Sequence, residues 1–326
     1  MNRKGFRRIA SILLLAVAAA LLIGVCEVVG EAPAEPAEVR EAEPLLVGAL
    51  KGPTGMGLAY VIAEDEHDTV ELFDAPDVAA ARFISGEVDV AAVPVNLASV
   101  LYKKTEGDTV VLAVNTLGVL YVLDGGDTLH EMKDLSGKTL YATGQGSTPE
   151  YILNYLLEKN GLTDVTVEYV GEHATLAAMA AAGEAEFAML PEPQVSAAMA
   201  KNASLRAALD LTAEWNKVSD TTLVQGVYIA RRSVYEQKKD AIDALMEKVA
   251  SSVERVNTEE GAAEVVAEAG IVPNAAIAAR AIPRANIVCI RGGEMKAAVS
   301  AMLEVLYAAQ PSSVGGALPG EDFYAG

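Results

Sequence analysis

Cysteine and histidine are scarce in this sequence of 326 residues, which contains two cysteines and three histidines. A framework of several disulfides is excluded, because two cysteines form one bond at most. His67, His130 and His173 stand far apart in segments predicted as solvated surface loops, with no spacing typical of metal ligands. We therefore predict neither a metal site nor a cofactor.

Basic residues are also few: 25 Lys and Arg stand against 45 Asp and Glu, for a formal net charge of −20. Such a surface repels the phosphates of nucleic acid, so no nucleic-acid partner is expected. Aromatic residues make up only 5% of the chain, which argues against an aromatic cage around a ligand. The single tryptophan, Trp215, could stack on a flat ligand, but packing in the core is the simpler interpretation.

The N-terminus has the pattern of an export signal. A basic segment, Met1–Arg8, precedes the uncharged apolar run Ile9–Val25, as a basic n-region precedes the h-region of a signal peptide. We predict that residues 1–25 are a signal peptide; a membrane anchor is the alternative, since the run is at the short end of a membrane span. Residues 26–43, rich in Ala, Pro and Glu, are predicted to form an extended acidic tether.

The two cysteines have different predicted roles. The segment Ile23–Cys26 resembles the lipobox of bacterial lipoproteins, although Val25 stands where that pattern has Gly, Ala or Ser. The resemblance implies that Cys26 is lipidated and becomes the new N-terminus. Cys289 lies in the apolar run Ala285–Ile290 and is predicted to be a small buried hydrophobic residue in a strand.

A strand, a glycine loop and a helix are predicted in succession over Thr139–Leu157. Thr148 is expected to cap the helix, with Pro149 at its first position and Glu150 in its first turn. A helix that begins after a glycine loop presents N–H groups without helical partners. Such a start favours an anion or a carbonyl group and predicts a binding site.

The same pattern occurs earlier in the chain, which indicates an internal repeat. Gly52 and Thr54 match Gly146 and Thr148, and the segments 86–94 and 183–191 share the pattern G-E-x-(acid)-x-A-x-x-P. Each copy is predicted to contain a β-α-β-α-β unit. Alternating strands and helices predict an α/β fold with mostly parallel sheets, in which ligands bind at the carboxyl ends of the strands. Two such units predict two lobes that face each other across a cleft.

Two segments are predicted to connect the lobes. The strands Val110–Asn115 and Val119–Leu123 are separated by one short turn, and the strand Thr222–Ala230 provides the return. Two connecting segments form a hinge, which permits closure over a ligand. We predict that residues 44–118 and 226–326 form lobe one and that residues 119–225 form lobe two, with a mainly helical region after Ser233.

The mature chain resembles the solute-binding lipoproteins of ABC importers, of the nitrate, taurine and alkanesulfonate type that also includes binders of thiamine precursors. The resemblance rests on the order and spacing of several motifs: Gly52–Gly55, Gly86–Ala91 with Pro94–Asn96, Gly144–Thr148, Leu190–Pro193 and the ending Gly315–Tyr324. It implies a type II periplasmic-binding-protein fold, with the ligand held between the lobes by helix starts, strand ends and the hinge. The residues expected to bind it are Thr54, Gly55, Met56, Asn96, Asn115, Thr116, Gln145, Gly146, Ser147, Thr148, Glu192 and Gln225.

Glu192 is the one charged residue expected near the cleft. A carboxylate there favours a ligand with an amine, an amidine or a ring N–H, and argues against a simple oxyanion such as nitrate. The alternative is that Glu192 points to solvent or caps a helix that begins near Val195. Two enzymatic interpretations of the loop 144–149 are rejected. A dinucleotide site needs a third glycine where Pro149 stands, and a nucleophile elbow needs the pattern G-x-S-x-G.

The sequence thus predicts a non-enzymatic, exported receptor that is lipid-anchored at the outer face of the cytoplasmic membrane or periplasmic. It is expected to act as a monomer that captures a small organic ligand and delivers it to an ABC permease, whose separate ATPase subunit drives transport. Two rivals use the same fold: an enzyme that resembles pyrimidine-precursor synthases, and a ligand receptor for a membrane sensor.

Overall fold

The computed structural model describes residues 43–326, in which strands alternate with helices. The strands are β1 Leu46–Leu50, β2 Thr69–Phe73, β3 Val90–Pro94, β4 Val110–Leu117, β5 Leu120–Asp124, β6 Thr139–Ala142, β7 Thr166–Tyr169, β8 Phe187–Pro191, β9 Arg206–Asp210, β10 Val224–Ala230 and β11 Ile287–Ile290. The helices are α1 Pro53–Met56, α2 Ala59–Glu64, α3 Pro76–Ser85, α4 Val95–Lys104, α5 Thr148–Lys159, α6 His173–Ala182, α7 Gln194–Lys201, α8 Leu211–Val218, α9 Arg232–Gln237, α10 Lys239–Thr258, α11 Ala262–Glu268, α12 Ala275–Ala281 and α13 Gly292–Ala309.

The strands form two sheets. One has six strands in the order β2-β1-β3-β10-β4-β11, and the other has five in the order β7-β6-β8-β5-β9. In the first sheet β2, β1 and β3 are parallel, whereas β10 runs antiparallel to β3 and β4. In the second sheet β7, β6 and β8 are parallel, and β5 is antiparallel to β8 and β9.

The predicted repeat is present in both sheets. In each, the first strand of the unit lies between the second and the third, as β2-β1-β3 and β7-β6-β8. The shared Gly-Glu pattern has a local cause: Gly86 and Gly183 both have φ of +77° and end α3 and α6 in the left-handed conformation. Glycine adopts this conformation at little steric cost, so it stops the helix and turns the chain into the next strand.

Two segments connect the sheets, as the sequence predicts. The chain leaves the first sheet after β4, enters the second at β5 with only Gly118 and Val119 between them, and returns from β9 through α8 to β10. The fold is therefore that of two α/β lobes joined by a two-segment hinge, the type II periplasmic-binding-protein arrangement. The exact boundaries of the lobes stay a prediction.

The core extends over both lobes. One apolar cluster includes Val93 of β3 and Val95 of α4 together with Leu120 of β5 and Leu153 of α5, and each sheet carries a further cluster on its other face. Trp215 belongs to the shared cluster. It is fully buried, its ring centre lies 4.5 Å from that of Tyr155, and its indole N–H donates to the Thr221 carbonyl over 2.8 Å. Trp215 thus packs in the core, the simpler of its two interpretations.

The chain after Ser233 is mainly helical, as predicted, with a break at Lys238 between α9 and α10. One feature differs from the prediction. Cys289 lies in β11 as expected, but its side chain is only half-buried.

None of the helices within residues 43–326 is long and apolar enough to cross a membrane. The predicted signal peptide, the lipidation of Cys26 and nearly all of the tether lie outside the described residues.

Candidate functional site

A cavity of about 850 Å³ opens between the two lobes, and we call it the cleft. Its walls come from the loops and helix starts that follow β1, β2 and β3 in one lobe and β6, β7 and β8 in the other, with the hinge between them. The end of α11 and the loop after it, residues 267–273, complete the wall of the first lobe. This is the edge at which the carboxyl ends of parallel strands meet, where ligands bind in open α/β sheets.

The structure brings most of the predicted ligand-binding residues to this cavity. The predicted residues that lie on its wall are Thr54, Asn96, Thr116, Gly146, Ser147, Thr148, Glu192 and Gln225. They come from both halves of the repeat and from the hinge, and their role in ligand binding stays a prediction.

Four predicted residues lie elsewhere. Gly55 and Met56 are buried behind the wall in the first lobe, and a Cβ on Gly55 would come within 2.5 Å of the Leu50 carbonyl. Asn115 is buried and accepts a hydrogen bond from the Thr116 hydroxyl over 2.8 Å, while Gln145 is exposed at the tip of its loop. Thr116, the neighbour of Asn115 on β4, lines the cleft.

Thr148 does not cap α5, contrary to the prediction. Ser147 is the N-cap residue, and it makes no side-chain capping bond. The Thr148 hydroxyl instead donates to Oδ1 of Asn96 over 2.8 Å, and both side chains are buried. Asn96 is in the first lobe and Thr148 in the second, so this hydrogen bond connects the two lobes.

The glycine loop before α5 is partly satisfied from within. The Gly146 N–H donates to the Glu150 carboxylate over 2.5 Å, and the Ser147 hydroxyl donates to the Gly144 carbonyl over 2.7 Å. The Glu150 carboxylate thus occupies an N–H donor that was predicted to bind an anion or a carbonyl group of a ligand.

Glu192 combines both of its predicted roles, because it belongs to the cleft wall and also caps a helix. It is 1% exposed and accepts hydrogen bonds from the Ser196 N–H over 3.1 Å and the Ser196 hydroxyl over 3.0 Å, at the start of α7. The Arg284 guanidinium lies 3.6 Å away. Burial raises the pKa of Glu192, and the Ser196 bonds and Arg284 offset only part of that increase.

His173 is exposed, as predicted, but it does not lie in a loop. It is the first residue of α6, and it lines the cleft. Its Nδ1 lies 2.7 Å from the Thr143 hydroxyl, and desolvation by the surrounding protein lowers the pKa of the imidazole. A signal was available, because Thr143 and His173 follow β6 and β7, which are adjacent parallel strands.

Glu192 is not the only charged residue at the cleft. Lys51 and Asp74 also line it, and their ammonium and carboxylate groups are 2.8 Å apart. These residues follow β1 and β2, a second pair of adjacent parallel strands. A pattern of polar residues directly after strands could have identified them.

The groups on these walls are suited to enclosing and hydrogen-bonding a small molecule. Within residues 43–326, no cluster of His, Cys, Asp and Glu side chains could hold a metal ion. His173 is the one histidine on the wall, and no other nitrogen base of intermediate pKa lines it.

Solved structures of transporter proteins are similar to this chain. An ABC transporter protein from Parabacteroides distasonis is 25% identical, with a TM-score of 0.75 over 87% of this chain and 99% of that one. The periplasmic aliphatic sulphonate binding protein SsuA from Escherichia coli is 19% identical, with a TM-score of 0.66 over 82% and 88%. The alkanesulfonate-binding protein from Xanthomonas axonopodis pv. citri, bound to MOPS, is 19% identical, with a TM-score of 0.60 over 86% and 96%.

The resemblance to ABC-importer solute-binding proteins that the sequence motifs suggest is therefore confirmed at the level of the fold. The comparison with curated proteins gave no match. A sequence model of the family described as "Menaquinone biosynthesis" matches residues 47–277, which include most of the cleft. This match spans more than half of the chain, and the protein therefore belongs to the menaquinone biosynthesis family.

Proposed function

We propose that this protein is an exported solute-binding protein that captures a small organic molecule in the cleft and delivers it to the permease of an ABC importer. The observation that carries the proposal is the position of the cavity. Its walls come from two lobes that only two chain segments connect, so rotation about those segments would open and close the site.

Contacts between the lobes support closure as the working motion. Thr148 bonds Asn96 on one side of the cleft, and Arg284 approaches Glu192 on another. The Tyr121 hydroxyl donates to the Arg284 carbonyl over 3.0 Å. Polar contacts that exist only when the lobes are together stabilise the closed form, and a bound ligand adds its own contacts to both walls.

The remaining parts of the proposal rest on the sequence predictions. Lobe one comprises residues 44–118 and 226–326, and lobe two comprises residues 119–225. Ligand binding falls to the predicted residues on the cleft wall, together with His173. The chain acts as a monomer outside the cytoplasm, attached to the membrane through a lipid on Cys26, and catalyses no reaction.

The family match favours one second candidate, an enzyme that acts on a small precursor in the same cleft. His173 supports it, because an imidazole with a lowered pKa can accept a proton at neutral pH, and the Thr143 hydroxyl orients its ring. The transporter fold and the export signal favour the binding protein.

Native mass spectrometry tests the proposal. The protein is purified without denaturant from the cells that produce it, and its mass is compared with that of the same sample after unfolding and refolding. We expect a bound molecule that is lost on refolding and is recovered chemically unchanged. It should bind again when a small-molecule extract of the same cells is added to the refolded protein. Conversion of that molecule by the protein would establish the enzyme instead.

Two substitutions of alanine show whether the bound molecule lies in the cleft. Ala267 of α11 lines the cavity, so Ala267→Trp places an indole in the binding space. Ala276 of α12 is exposed and is not part of the wall, so Ala276→Trp is the matched control. Loss of the adduct in the first variant alone supports the cleft, and equal occupancy in both variants contradicts it.

A further inference from the structure

Proline is unusually frequent on the walls of the cleft. Seven prolines line it, and three of them, Pro53, Pro76 and Pro149, stand at the starts of α1, α3 and α5. Proline has no backbone N–H. Each of these three helix starts therefore presents an apolar ring in place of one of the N–H donors that an oxyanion could use.

Carboxylates of the chain occupy further donors at these helix starts. Glu150 accepts from the Gly146 N–H at the start of α5, and Glu192 accepts from the Ser196 N–H at the start of α7. Each carboxylate brings a negative charge to the end of a helix dipole that would otherwise attract an anionic ligand. A bound anion would have to displace these groups or lie beside them.

The cations at the cleft have carboxylate partners. The Lys51 ammonium lies 2.8 Å from Asp74, and the Arg284 guanidinium lies 3.6 Å from Glu192. The lowered pKa of His173 disfavours the charged form of its imidazole. Within residues 43–326, an anion in this cavity would therefore have to compete with a carboxylate of the chain for each of these cations, and burying a charge without a free partner is costly.

The polar groups that stay available are neutral. Gln225 uses Oε1 to accept from the Val119 N–H over 3.2 Å, and its Nε2 donor has no partner among residues 43–326. His173 uses Nδ1 toward Thr143 and keeps Nε2 for another partner. An amide donor and an imidazole nitrogen, set among proline rings and Leu97, suit an organic molecule with few polar atoms.

We propose that the cleft takes an uncharged and mostly apolar organic molecule, and that it discriminates against sulfonates, nitrate and carboxylates. This inference rests on the proposed function, since it names the class of solute that the binding protein would carry. It distinguishes the chain from the sulphonate-binding protein whose fold it shares.

Two fluorescent probes with one skeleton test the inference. N-phenyl-1-naphthylamine is uncharged, and 8-anilino-1-naphthalenesulfonate carries an added sulfonate. Each is titrated into the full chain at neutral pH. We expect the uncharged probe to bind at least about tenfold more tightly, and equal or tighter binding of the sulfonate would overturn the inference. Binding of neither probe would overturn it as well, because the cleft would then not accept an apolar body.

The substitution Asp74→Lys is expected to weaken the predicted preference for the uncharged probe. It removes the partner of Lys51 and adds a second cation at a carboxylate that is 84% exposed, so the fold should tolerate it. We expect affinity for the sulfonate probe to rise by about fivefold or more, with little change for the uncharged probe. Asp127→Lys, at a carboxylate that is 85% exposed and lies outside the cleft wall, is the control and should change neither affinity. If Asp74→Lys leaves the affinity for the sulfonate probe unchanged, the charges at the cleft do not determine which ligands bind.

The variant Ala267→Trp separates failure of this inference from failure of the proposed function. We expect it to abolish binding of the uncharged probe, whereas Ala276→Trp keeps it. If the sulfonate probe binds more tightly and Ala267→Trp abolishes its binding, the ligand class is wrong but the receptor function still stands. If Ala267→Trp leaves probe binding intact, the probe binds outside the cleft, and both proposals are contradicted.

Discussion

Asp124 and Glu192 are both almost wholly buried, yet their surroundings shift their pKa values in opposite directions. Burial raises the pKa of each carboxyl group. At Asp124, hydrogen bonds from the N–H groups of Gly126, Thr128 and Leu129, together with the Arg206 guanidinium, outweigh burial and lower it. At Glu192 the bonds from one residue and a more distant guanidinium do not outweigh it. Asp124 receives more hydrogen bonds to its charged form, whereas desolvation dominates at Glu192.

The substitution Asp124→Asn is expected to lower the free energy of unfolding by about 2–4 kcal/mol at neutral pH, because the amide leaves buried N–H groups and Arg206 without the anion. A lowered pKa in the folded state stabilises the fold above the ordinary carboxyl pKa, and this stabilisation is lost as pH falls through the folded pKa. The deficit of the variant should therefore shrink in acid. Urea unfolding at about pH 7 and about pH 3 measures it, because the loss falls below the ordinary carboxyl pKa. Asp127→Asn, at an exposed carboxylate in the same turn, should cost less than about 0.5 kcal/mol.

The substitution Glu192→Gln is expected to show the opposite pH dependence. A raised pKa in the folded state stabilises the fold below the ordinary carboxyl pKa, and this contribution is lost as pH rises through the folded pKa. The uncharged amide avoids that loss. The stability of the variant relative to the natural protein should thus increase from about pH 4 to about pH 8 in urea unfolding. A relative stability that is constant or falls over this range would show that Glu192 is charged without cost in the fold.

At the scale of elements, the crossing from β4 to β5 depends on one small residue. A Cβ on Gly118 would lie 2.1 Å from the Thr212 hydroxyl oxygen and 2.7 Å from a methyl carbon of Leu223. Both neighbours belong to the return segment between β9 and β10. The two connecting segments can therefore lie side by side only because position 118 has no side chain.

We expect Gly118→Ala to lower the free energy of unfolding by about 1–3 kcal/mol, through crowding between the two hinge segments. Gly293→Ala is the matched control, since a Cβ there has no neighbour within 4 Å and the residue is in the first turn of α13. That change should be neutral or stabilising by up to about 1 kcal/mol. Thermal and urea unfolding of both variants provide the comparison, and equal stability of the two would contradict the role given to Gly118.

Local signals account for most of the elements that the sequence predicts correctly. Glycine at 86 and 183 ends a helix in each repeat, and proline stands at the first turn of several helices. These effects depend on residues within one or two turns, so they can be recognised without the fold. The capping role assigned to Thr148 failed because its hydroxyl bonds Asn96, which is distant in sequence and belongs to the other lobe.

At the scale of the whole molecule, the contacts between the lobes describe a closed arrangement. The hydrogen bond from Thr148 to Asn96 is buried, whereas the Thr105 hydroxyl bonds the Leu101 carbonyl within the first lobe. The two threonines thus offer a matched pair, in which one hydroxyl stabilises closure and the other stabilises a single lobe.

The proposed closure predicts that Thr148→Val shifts the molecule toward the open form. In the closed form the buried Asn96 oxygen would have no donor, whereas in the open form water can reach it. The cost of about 1–3 kcal/mol corresponds to roughly a fivefold to hundredfold change in the equilibrium. Small-angle scattering should show a larger radius of gyration for this variant without ligand. Thr105→Val should change stability but not the radius, and a Thr148→Val variant as compact as the natural protein would count against closure by this contact.

A saturating ligand should reverse that opening. At 100 times its dissociation constant it should stabilise the natural protein by about 2.7 kcal/mol and reduce the radius of gyration. The extract that restores the adduct in native mass spectrometry serves as the source of ligand for this measurement. A complex that is as extended as the free protein would contradict capture by closure.

The sequence by itself determined the order of strands and helices, the repeat, the two crossings and the loops from which the site is built. Hydrophobic periodicity, helix-ending glycines and prolines act locally, and a repeated pattern requires a repeated unit. The tertiary structure decided which side chains of those loops face the cleft. His173, Lys51 and Asp74 reach it because parallel strands bring their carboxyl ends to one edge, whereas Met56 and Asn115 point into the protein. The direction of a side chain and the partner that satisfies it depend on residues far away in the chain, so these features exist only once each lobe has folded.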